Sequence, residues 1–396
     1  MSWEKTTIGE HCTVTSSKRF HLSERSTSGV PFYCSKEIIQ KVNGQEIIEC
    51  DYIREELYEQ VKKQFGVPGP GDLLITTRGT YGVPYIYRET DRFYFADGNL
   101  TWLKDFDEKL LPEFLLYWVN SHEGQGKIDA IAKGTAQKAV PIASIKSLEI
   151  PLPAIVQQKH IVAILSAYDN LIENNQKQIK LLEEAAQRLY KEWFVDLRFP
   201  GHETTSIVDG VPEGWTVQTL SQIADVVMGQ SPKSEYYNQD GEGLPFHQGV
   251  GSYGDRFVVN STYSTSFTRI AEAGSILFSV RAPVGRLNLT KDKVVIGRGL
   301  AAVHHRQGLQ SYLFYLLKER FFKDDIIGNG SVFASISKDE LLNQKFPVPD
   351  IALVERFNDI ACILDEKIDY LSEQVRLLTE ARDRLLPKLM SGEVEV

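Results

Sequence analysis

Residues 161–193 read IVAILSAYDNLIENNQKQIKLLEEAAQRLYKEW, and residues 357–389 read FNDIACILDEKIDYLSEQVRLLTEARDRLLPKL. In both stretches apolar residues recur at alternating steps of four and three, and each position of the second lies 196 residues after its counterpart in the first. An apolar period of 3.5 residues kept over several heptads is typical of a coiled coil. Because each apolar stripe needs a partner, the two stretches predict two long helices that pair with each other.

Polar residues interrupt the predicted helix seam at a few places. Asn175 occupies a core position whose counterpart in the second stretch is Leu371, and Arg382 replaces an apolar residue in the second stretch. A single core Asn lowers stability but disfavours wrong registers, so it predicts one alignment of two different helices. Proline in a helix interior removes a hydrogen bond and clashes with the preceding turn, so Pro387 predicts a kink or an end near Leu386.

The segments outside the two helices repeat as well. Gly274–Gly285 corresponds to Gly71–Gly82, with Arg281 in the place of Arg78. Gly330–Pro349 corresponds residue for residue to Gly134–Pro153, and a long helix follows each at the same offset. The first helix leaves the first domain and reaches the second, and the other helix must return, so the pair is expected to be antiparallel, in a pseudo-two-fold repeat.

This repeat predicts an α+β fold in which two similar globular domains alternate with two long helices. The expected boundaries are residues 1–154 for the first domain, 155–199 for the first spacer helix, 200–350 for the second domain and 351–396 for the second spacer helix.

Composition excludes several classes of protein. Residues 2–7 contain no apolar run and no 18 apolar residues occur together, so we expect neither a signal peptide nor a membrane span. The four cysteines form no CxxC pair, which favours a reduced, cytoplasmic protein. The formal net charge of −9 argues against tight non-specific binding to a polyanion but leaves room for a specific site.

Catalytic motifs are scarce. The sequence has no G-x-x-x-x-G-K-[ST] phosphate loop and no G-x-G-x-x-G after a strand. Asp350, Asp365 and Lys367 imitate the paired acids and lysine of a metal-dependent nuclease, but two of them flank core positions of the predicted helix. His304 and His305 are interpreted as one outward and one inward side chain of a strand, so neither a catalytic nor a metal site is predicted.

Polar and aromatic loops on the globular domains are the remaining functional signal. Hydroxyl, ammonium, guanidinium and amide groups suit phosphates and base edges of DNA, although each could instead lie on an ordinary solvated loop. Arg78 and Arg281 stand out because they occupy one position in both copies, which a structural salt bridge would also explain. The candidate DNA-binding residues are Arg78, Thr80, Tyr81, Gln137, Lys138, Ser231, Lys233, Tyr236, Tyr237, His247, Gln248, Arg281, Arg298, Ser331 and Phe333.

The chain resembles the specificity subunits of type I restriction-modification enzymes. The resemblance is carried by Val211–Asn238, Gly274–Gly285, Tyr190–Glu203 and the loop–strand–Pro-x-Pro–helix unit in both halves. It departs from a strict repeat where Arg78-Gly-Thr-Tyr-Gly faces Arg281-Ala-Pro-Val-Gly, which puts direct equivalence of the two loops in doubt.

The resemblance implies two target recognition domains that read a split sequence in double-stranded DNA, with the helices as spacers. It further implies that catalysis belongs to partners: two methyltransferase subunits that use S-adenosylmethionine, and restriction subunits that use ATP and Mg²⁺. This chain itself would be no enzyme and would bind no cofactor. The alternative is a coiled-coil protein-interaction scaffold without a DNA role, which the acidic net charge favours.

Overall fold

The computed structural model describes residues 3–134, 138–208, 210–321 and 335–394. The chain divides into two compact units, one formed by residues 1–176 with 373–396 and the other by residues 177–372. The first long helix spans Ile155–Phe194 and the second spans Ile351–Met390, so each unit contains one end of both helices. Each unit adds sheets and short helices to these ends, which gives the predicted α+β fold class.

The two long helices are antiparallel in both units. In the first unit, Ile161 and Leu165 near the start of the first helix share a buried cluster with Leu389 at the end of the second. In the second unit, the ring of Phe357 near the start of the second helix packs edge-on against Trp193 and Phe194 near the end of the first. The predicted pairing direction is therefore confirmed.

The polar residues on the helix seam have partners in the first unit. The Asn175 Nδ2 donates to Gln374 Oε1 at 3.2 Å, and the Arg382 Nη1 donates to Asp169 Oδ1 at 2.7 Å. Pro387 lies inside the second helix, which continues to Met390, so of the predicted kink or end near Leu386 the end is wrong. The last turn persists because Leu389 and Met390 are buried in the core of the first unit, and that burial outweighs one lost backbone hydrogen bond.

The first unit is built on a four-stranded antiparallel sheet next to a second four-stranded sheet. The main sheet has the strand order Thr13–Thr15, Leu100–Lys104, Leu73–Thr76 and Pro84–Ile86. The second sheet has the order Arg25–Ser26, Asp51–Ile53, Val30–Tyr33 and Tyr94–Phe95, and Glu4–Thr7 pairs separately with Glu149–Leu152. The helices are Ile8–His11, Ser35–Val42, Glu55–Gln64, Pro112–Asn120, His122–Ile131 and Ile142–Lys146, with a 3₁₀ turn at Leu22–Glu24.

The second unit repeats this plan around its own four-stranded antiparallel sheet. That main sheet has the order Ala224–Met228, Leu300–His305, Ile276–Ser279 and Leu287–Leu289. A five-stranded sheet follows the order Tyr237–Asn238, Tyr263–Ser264, Leu244–His247, Val294–Ile296 and Ile270–Ala271. Two-stranded pairs join Thr216–Thr219 with Lys345–Val348, and Ile207–Val208 with Val211–Pro212. The helices are Leu220–Ile223, Gln310–Phe321 and Lys338–Leu342, with 3₁₀ turns at His202–Thr204, Ser234–Tyr236 and Val250–Ser252.

Each main sheet is covered by one short apolar helix. Pro112 at the first helical position fixes the start of the helix Pro112–Asn120, whose Phe114 and Trp118 are fully buried. Tyr312 and Tyr315 of the helix Gln310–Phe321 are buried in the same way in the second unit. Full burial of such side chains contributes roughly 1.5–3 kcal/mol each, so these helices hold the sheets rigid beneath the loops at their edges.

Candidate nucleic-acid interface

An arginine-bearing loop follows the third strand of each main sheet, at Thr76–Val83 in the first unit and Ser279–Arg286 in the second. The Thr76 hydroxyl accepts the Val83 N–H at 2.9 Å, and the Ser279 hydroxyl accepts the Arg286 N–H at 2.8 Å. Gly82 and Gly285 donate their N–H groups to the carbonyl oxygens of Thr76 and Ser279 at 2.8 and 3.0 Å. The same hydrogen bonds therefore close both arginine loops, although the sequences of the two loops differ.

The two candidate arginines occupy matched places in these loops. Arg78 forms an antiparallel bridge with Ala139, and Arg281 forms one with Ser335. The residues before them, Thr77 and Val280, donate their N–H groups across the sheet to Asn99 and Gly299 at 2.8 and 2.9 Å. Both arginine side chains are exposed. The structure therefore supports the equivalence of Arg78 and Arg281 that the sequence left in doubt.

A tight turn opposite each arginine loop completes this edge of the sheet. These tip turns are Ala96–Asn99 in the first unit and Gly297–Gly299 in the second, where Ala96 and Gly297 donate to the carbonyl oxygens of Tyr33 and His247 at 2.8 Å each. A Cβ on Gly98 would lie 3.6 Å from the guanidinium carbon of Arg78, so that arginine lies over its tip turn. The tip turns and arginine loops thus form one surface in each unit.

A serine two residues before a lysine holds each tip turn in place. The Ser231 hydroxyl accepts the N–H of Arg298 at 3.2 Å and donates to Gln248 Oε1 at 2.8 Å. The Ser16 hydroxyl accepts the N–H of Gly98 at a long 3.5 Å and donates to Asp97 Oδ1 at 2.9 Å. Ser231, Gln248 and Arg298 were predicted separately, and the structure brings them together.

The segment Ser231–Asn238 presents some of its predicted side chains outward and uses others internally. Lys233 and Tyr236 are exposed, with the Lys233 ammonium 3.7 Å from Glu235. Tyr237 stacks on Phe246 with 4.7 Å between ring centroids and donates its hydroxyl to the Pro232 carbonyl at 2.8 Å. Tyr237 therefore supports the loop and leaves Lys233 and Tyr236 as the groups that can reach a ligand.

The structure does not support direct DNA contact by His247. Its side chain is fully buried, with Nδ1 2.8 Å from the Ser252 hydroxyl and Nε2 3.1 Å from Asn260 Oδ1. Burial lowers the pKa of His247, so the ring is neutral near pH 7. His247 is the last residue of the strand Leu244–His247 and is buried next to the buried Phe246, whereas Gln248 lies just beyond the strand and is exposed.

The other candidates divide between exposed and packed positions. Thr80 and Lys138 are exposed, and Lys138 precedes the residue that bridges to Arg78. Tyr81 packs against the core of the first unit, and a hydrogen bond to the Asp129 carboxylate raises the pKa of its hydroxyl. Gln137, Ser331 and Phe333 lie outside the described residues.

The structure adds residues in the first unit that sequence reasoning missed. Ser16, Lys18, Arg19 and Asp97 line a cleft of about 420 Å³ together with the exposed ring of Phe65. The Lys18 ammonium lies 5.3 Å from the centre of the Phe65 ring, and Arg19 pairs with Asp97 at 3.0 Å. The signal was present, because Ser16-Ser17-Lys18 stands 215 residues before Ser231-Pro232-Lys233.

The nuclease interpretation finds no support. Asp350 caps the second long helix by accepting the Leu353 N–H. Asp365 lies on the same helix about 22 Å further along, at 1.5 Å per residue, and pairs with Arg256 of a loop. Within residues 3–134, 138–208, 210–321 and 335–394, no group of three His, Cys, Asp or Glu side chains is arranged to hold a metal. His304 is exposed and His305 buried, as the strand interpretation predicted.

Among the helices of these ranges, none carries an apolar stretch that could span a lipid bilayer.

The sequence of the chain is similar to known DNA specificity proteins. The family model described as "Type I restriction modification DNA specificity domain" matches residues 1–184 and 212–370. The putative type I restriction enzyme MjaX specificity subunit of Methanocaldococcus jannaschii is 31% identical over 336 residues, which cover 82% of this chain and 79% of that protein. The MjaIX specificity subunit from the same organism is 26% identical, with 82% and 78% covered.

A solved structure has the same fold. The type I restriction-modification S subunit from M. genitalium superimposes with a TM-score of 0.64 over 98% of this chain and 96% of that chain. At 20% sequence identity the likeness concerns the fold alone.

Proposed function

The chain belongs to the type I restriction-modification DNA specificity family, and on that premise we propose that each unit reads one half of a split duplex target through the sheet edge described above. The observation that carries this proposal is the repeated edge, in which an arginine loop, a tip turn and a serine–lysine segment meet in both units. Two similar recognition surfaces suit a target with two half-sites.

The chemistry of the edge suits DNA. Exposed Lys18, Arg78, Lys233, Arg281 and Arg298 place cations on loops fixed by backbone hydrogen bonds. Cations and hydroxyls bind backbone phosphates, while side chains on rigid turns can reach base edges in a groove. Because the whole chain carries a net charge of −9, the attraction for DNA must be concentrated at these edges.

The chemistry on DNA belongs to other subunits in this proposal. Two methyltransferase subunits that use S-adenosylmethionine, and restriction subunits that use ATP and Mg²⁺, would act where this chain directs them. This chain would bind none of these cofactors and would work in the cytoplasm. Its own contribution is affinity for one sequence over all others.

Binding-site selection tests the proposal. The full chain, co-purified with its methyltransferase partner, would be given a pool of random duplexes, and the retained duplexes would be sequenced after several rounds. We expect two short fixed sequences separated by a gap of constant length in which any base is accepted. A complex that retains duplexes without enrichment would refute the reading of sequence, and a complex that retains no duplex would favour the interaction scaffold.

A further inference from the structure

The two sheet edges share some side chains and differ in one turn. Each edge has a serine that holds the tip turn, an exposed lysine two residues later and an exposed arginine at the matched loop position. The tip turn itself carries Asp97-Gly98-Asn99 in the first unit and Arg298-Gly299 in the second. The first turn therefore offers a carboxylate, which accepts hydrogen bonds, where the second offers a guanidinium, which donates them.

This pattern of sharing and difference matches the structure of a split DNA target. Two half-sites differ in their bases but present the same sugar–phosphate backbone. Side chains that occur in both units suit the feature that both half-sites share, and contacts to phosphates fix position without carrying sequence information. Side chains that differ between the units are the ones that can distinguish the half-sites.

The backbone beneath Arg298 is held unusually firmly. Added Cβ atoms on the flanking Gly297 and Gly299 would lie only 2.8 and 2.6 Å from Gln248, and one on Gly229 would lie 2.1 Å from the Gly297 carbonyl oxygen. Such close packing requires glycine at these positions. The side chain of Arg298 is nevertheless exposed and pairs with no other residue in the part of the chain that the structure describes.

A fixed backbone with an exposed, uncommitted guanidinium suits direct reading of a base. The planar guanidinium can donate two parallel hydrogen bonds to N7 and O6 of guanine, a pairing that depends on orientation. In the first unit, the Asp97 carboxylate accepts from Ser16 and Arg19 and could not bind guanine in this way. The tip turns of the two units therefore differ in recognition chemistry.

We propose that Lys18, Arg78, Lys233 and Arg281 bind DNA phosphates, and that Arg298 reads a guanine in the half-site of the second unit. This inference rests on the proposed function: side chains present in both units bind phosphates, and a side chain present in one unit reads a base. Ser16 and Ser231 are positioning residues, because they act on DNA through the turns they hold.

The test compares single variants of the full chain in complex with its methyltransferase partner. Affinity would be measured for the selected target and for a scrambled duplex of equal length, over a series of salt concentrations. The variants are Lys233→Ala and Arg281→Ala for the phosphate contacts, and Arg298→Ala and Arg298→Lys for the base contact. Lys345→Ala is the matched control, because Lys345 is an exposed lysine on a strand away from the sheet edge.

Removing a phosphate contact should weaken binding to both duplexes by the same factor. Lys233→Ala and Arg281→Ala should each reduce the slope of log affinity against log salt by about 1. The sequence recovered in binding-site selection should stay the same. Lys345→Ala should leave affinity, slope and sequence unchanged.

Removing the base contact should act on the target duplex. Arg298→Ala should weaken target binding by about 5- to 150-fold, the equivalent of 1–3 kcal/mol, and should relax one guanine position in a single half-site. Arg298→Lys should keep the salt slope but lose part of the discrimination, because the flexible ammonium can reach N7 and O6 but lacks the rigid planar fork that fixes their orientation.

Two results would overturn this assignment of residues to phosphates and to a base. Equal loss on both duplexes with a lower salt slope for Arg298→Ala would make Arg298 a phosphate contact. A changed target sequence for Lys233→Ala or Arg281→Ala would make those residues base readers. If the unmodified complex prefers no duplex over another, the proposed function itself fails.

Discussion

In each unit a tyrosine donates a hydrogen bond to an aspartate of a long helix, but the arginine that pairs with the aspartate comes from a different element in each unit. In the first unit the Tyr117 hydroxyl donates to Asp169 at 2.6 Å, and Arg382 of the other long helix pairs with the same carboxylate at 2.7 Å. In the second unit the Tyr315 hydroxyl donates to Asp365 at 2.9 Å, and the cation is Arg256.

The difference shows what the repeat retained and what it changed. Asp169 and Asp365 are 196 residues apart and occupy the same heptad position, so the tyrosine–aspartate hydrogen bond belongs to the shared plan. The cation comes from the helix seam in one unit and from a loop of the globular part in the other. Arg382, an anomaly in the apolar stripe, is explained by its ion pair with Asp169.

The largest effect is expected from removing Arg256. Its side chain is 2% exposed, pairs with Asp365 and Glu183, and lies with its guanidinium carbon 4.3 Å from the centre of the Phe314 ring. Removing one partner of a buried ion pair costs about 3–5 kcal/mol, and here it leaves the carboxylates of Asp365 and Glu183, 18% and 29% exposed, without their cation. Arg256→Met should therefore lower the Tm of the second unit by roughly 6–20 °C in calorimetry.

Arg198→Met provides the control for Arg256→Met within the second unit. Arg198 is exposed and pairs with Glu192 and Asp196. Its substitution should leave the Tm nearly unchanged. If Arg256→Met costs no more than this control, Arg256 does not stabilise the second unit through its charge.

A smaller loss is expected at the equivalent cation of the first unit. Arg382 and Asp169 are 29% and 36% exposed, so water already screens their interaction. Because methionine at this seam position also adds apolar contact, Arg382→Met should cost roughly 1 kcal/mol or less. A double-mutant cycle with Asp169→Asn would measure the pair directly, and a coupling as large as that of Arg256 with Asp365 would contradict the comparison.

Acid should act on the second unit through two buried histidines. Burial lowers the pKa of His247. Burial, and to a smaller extent the charge of the nearby His304, lower the pKa of His305 to about 4. In the unfolded chain both histidines have their ordinary pKa of about 6.5, so below that pH the unfolded state binds protons that the folded state does not bind. This stabilisation is complete above about pH 6.5 and is lost as the pH falls toward 4.

The first unit cannot respond in the same way at the matched position. Tyr33 takes the place of His247 in the parallel strand pair, and burial raises its pKa to about 12. Denaturant titrations at about pH 7 and pH 5 should show a larger acid loss for the native chain than for His305→Gln. An equal loss in both would mean that His305 does not carry the effect.

The smallest effect is expected at Asn175, which is 7% exposed on the helix seam. Asn175→Leu removes its hydrogen bond to Gln374 but adds apolar burial, so stability should change by about 1 kcal/mol or less, in the direction of a gain. Denaturant unfolding would measure the change. Loss of several kcal/mol would show that the amide pair stabilises the helices in addition to fixing their register.

The sequence predicted the helices and the repeated sheets because these follow from periodicity. The heptad pattern led to the two long helices, and buried strands such as Leu73–Thr76 and short helices such as Pro112–Asn120 follow from local apolar runs. The sequence does not predict the helices Ser35–Val42 and Glu55–Gln64, because each is short and buries only one side. Their formation depends on tertiary packing.

The candidate site was predicted in part for a related reason. Arg78 and Arg281 could be found because the repeat places them at one position, and the structure supports that correspondence. Phe246 and His247 are both buried at the end of their strand, and Gln248 is exposed just beyond it; the sequence alone does not state where that strand ends. Asp97 was missed because the two tip turns differ in length.

The central claim is that this chain selects a two-part DNA sequence for methyltransferase partners. Co-expression of the full chain with its proposed methyltransferase partner, followed by sequencing of methylated bases in the host DNA, tests this claim most directly. We expect methylated bases in one split motif with a gap of constant length. A complex that forms and binds S-adenosylmethionine but leaves no motif in the DNA would contradict it.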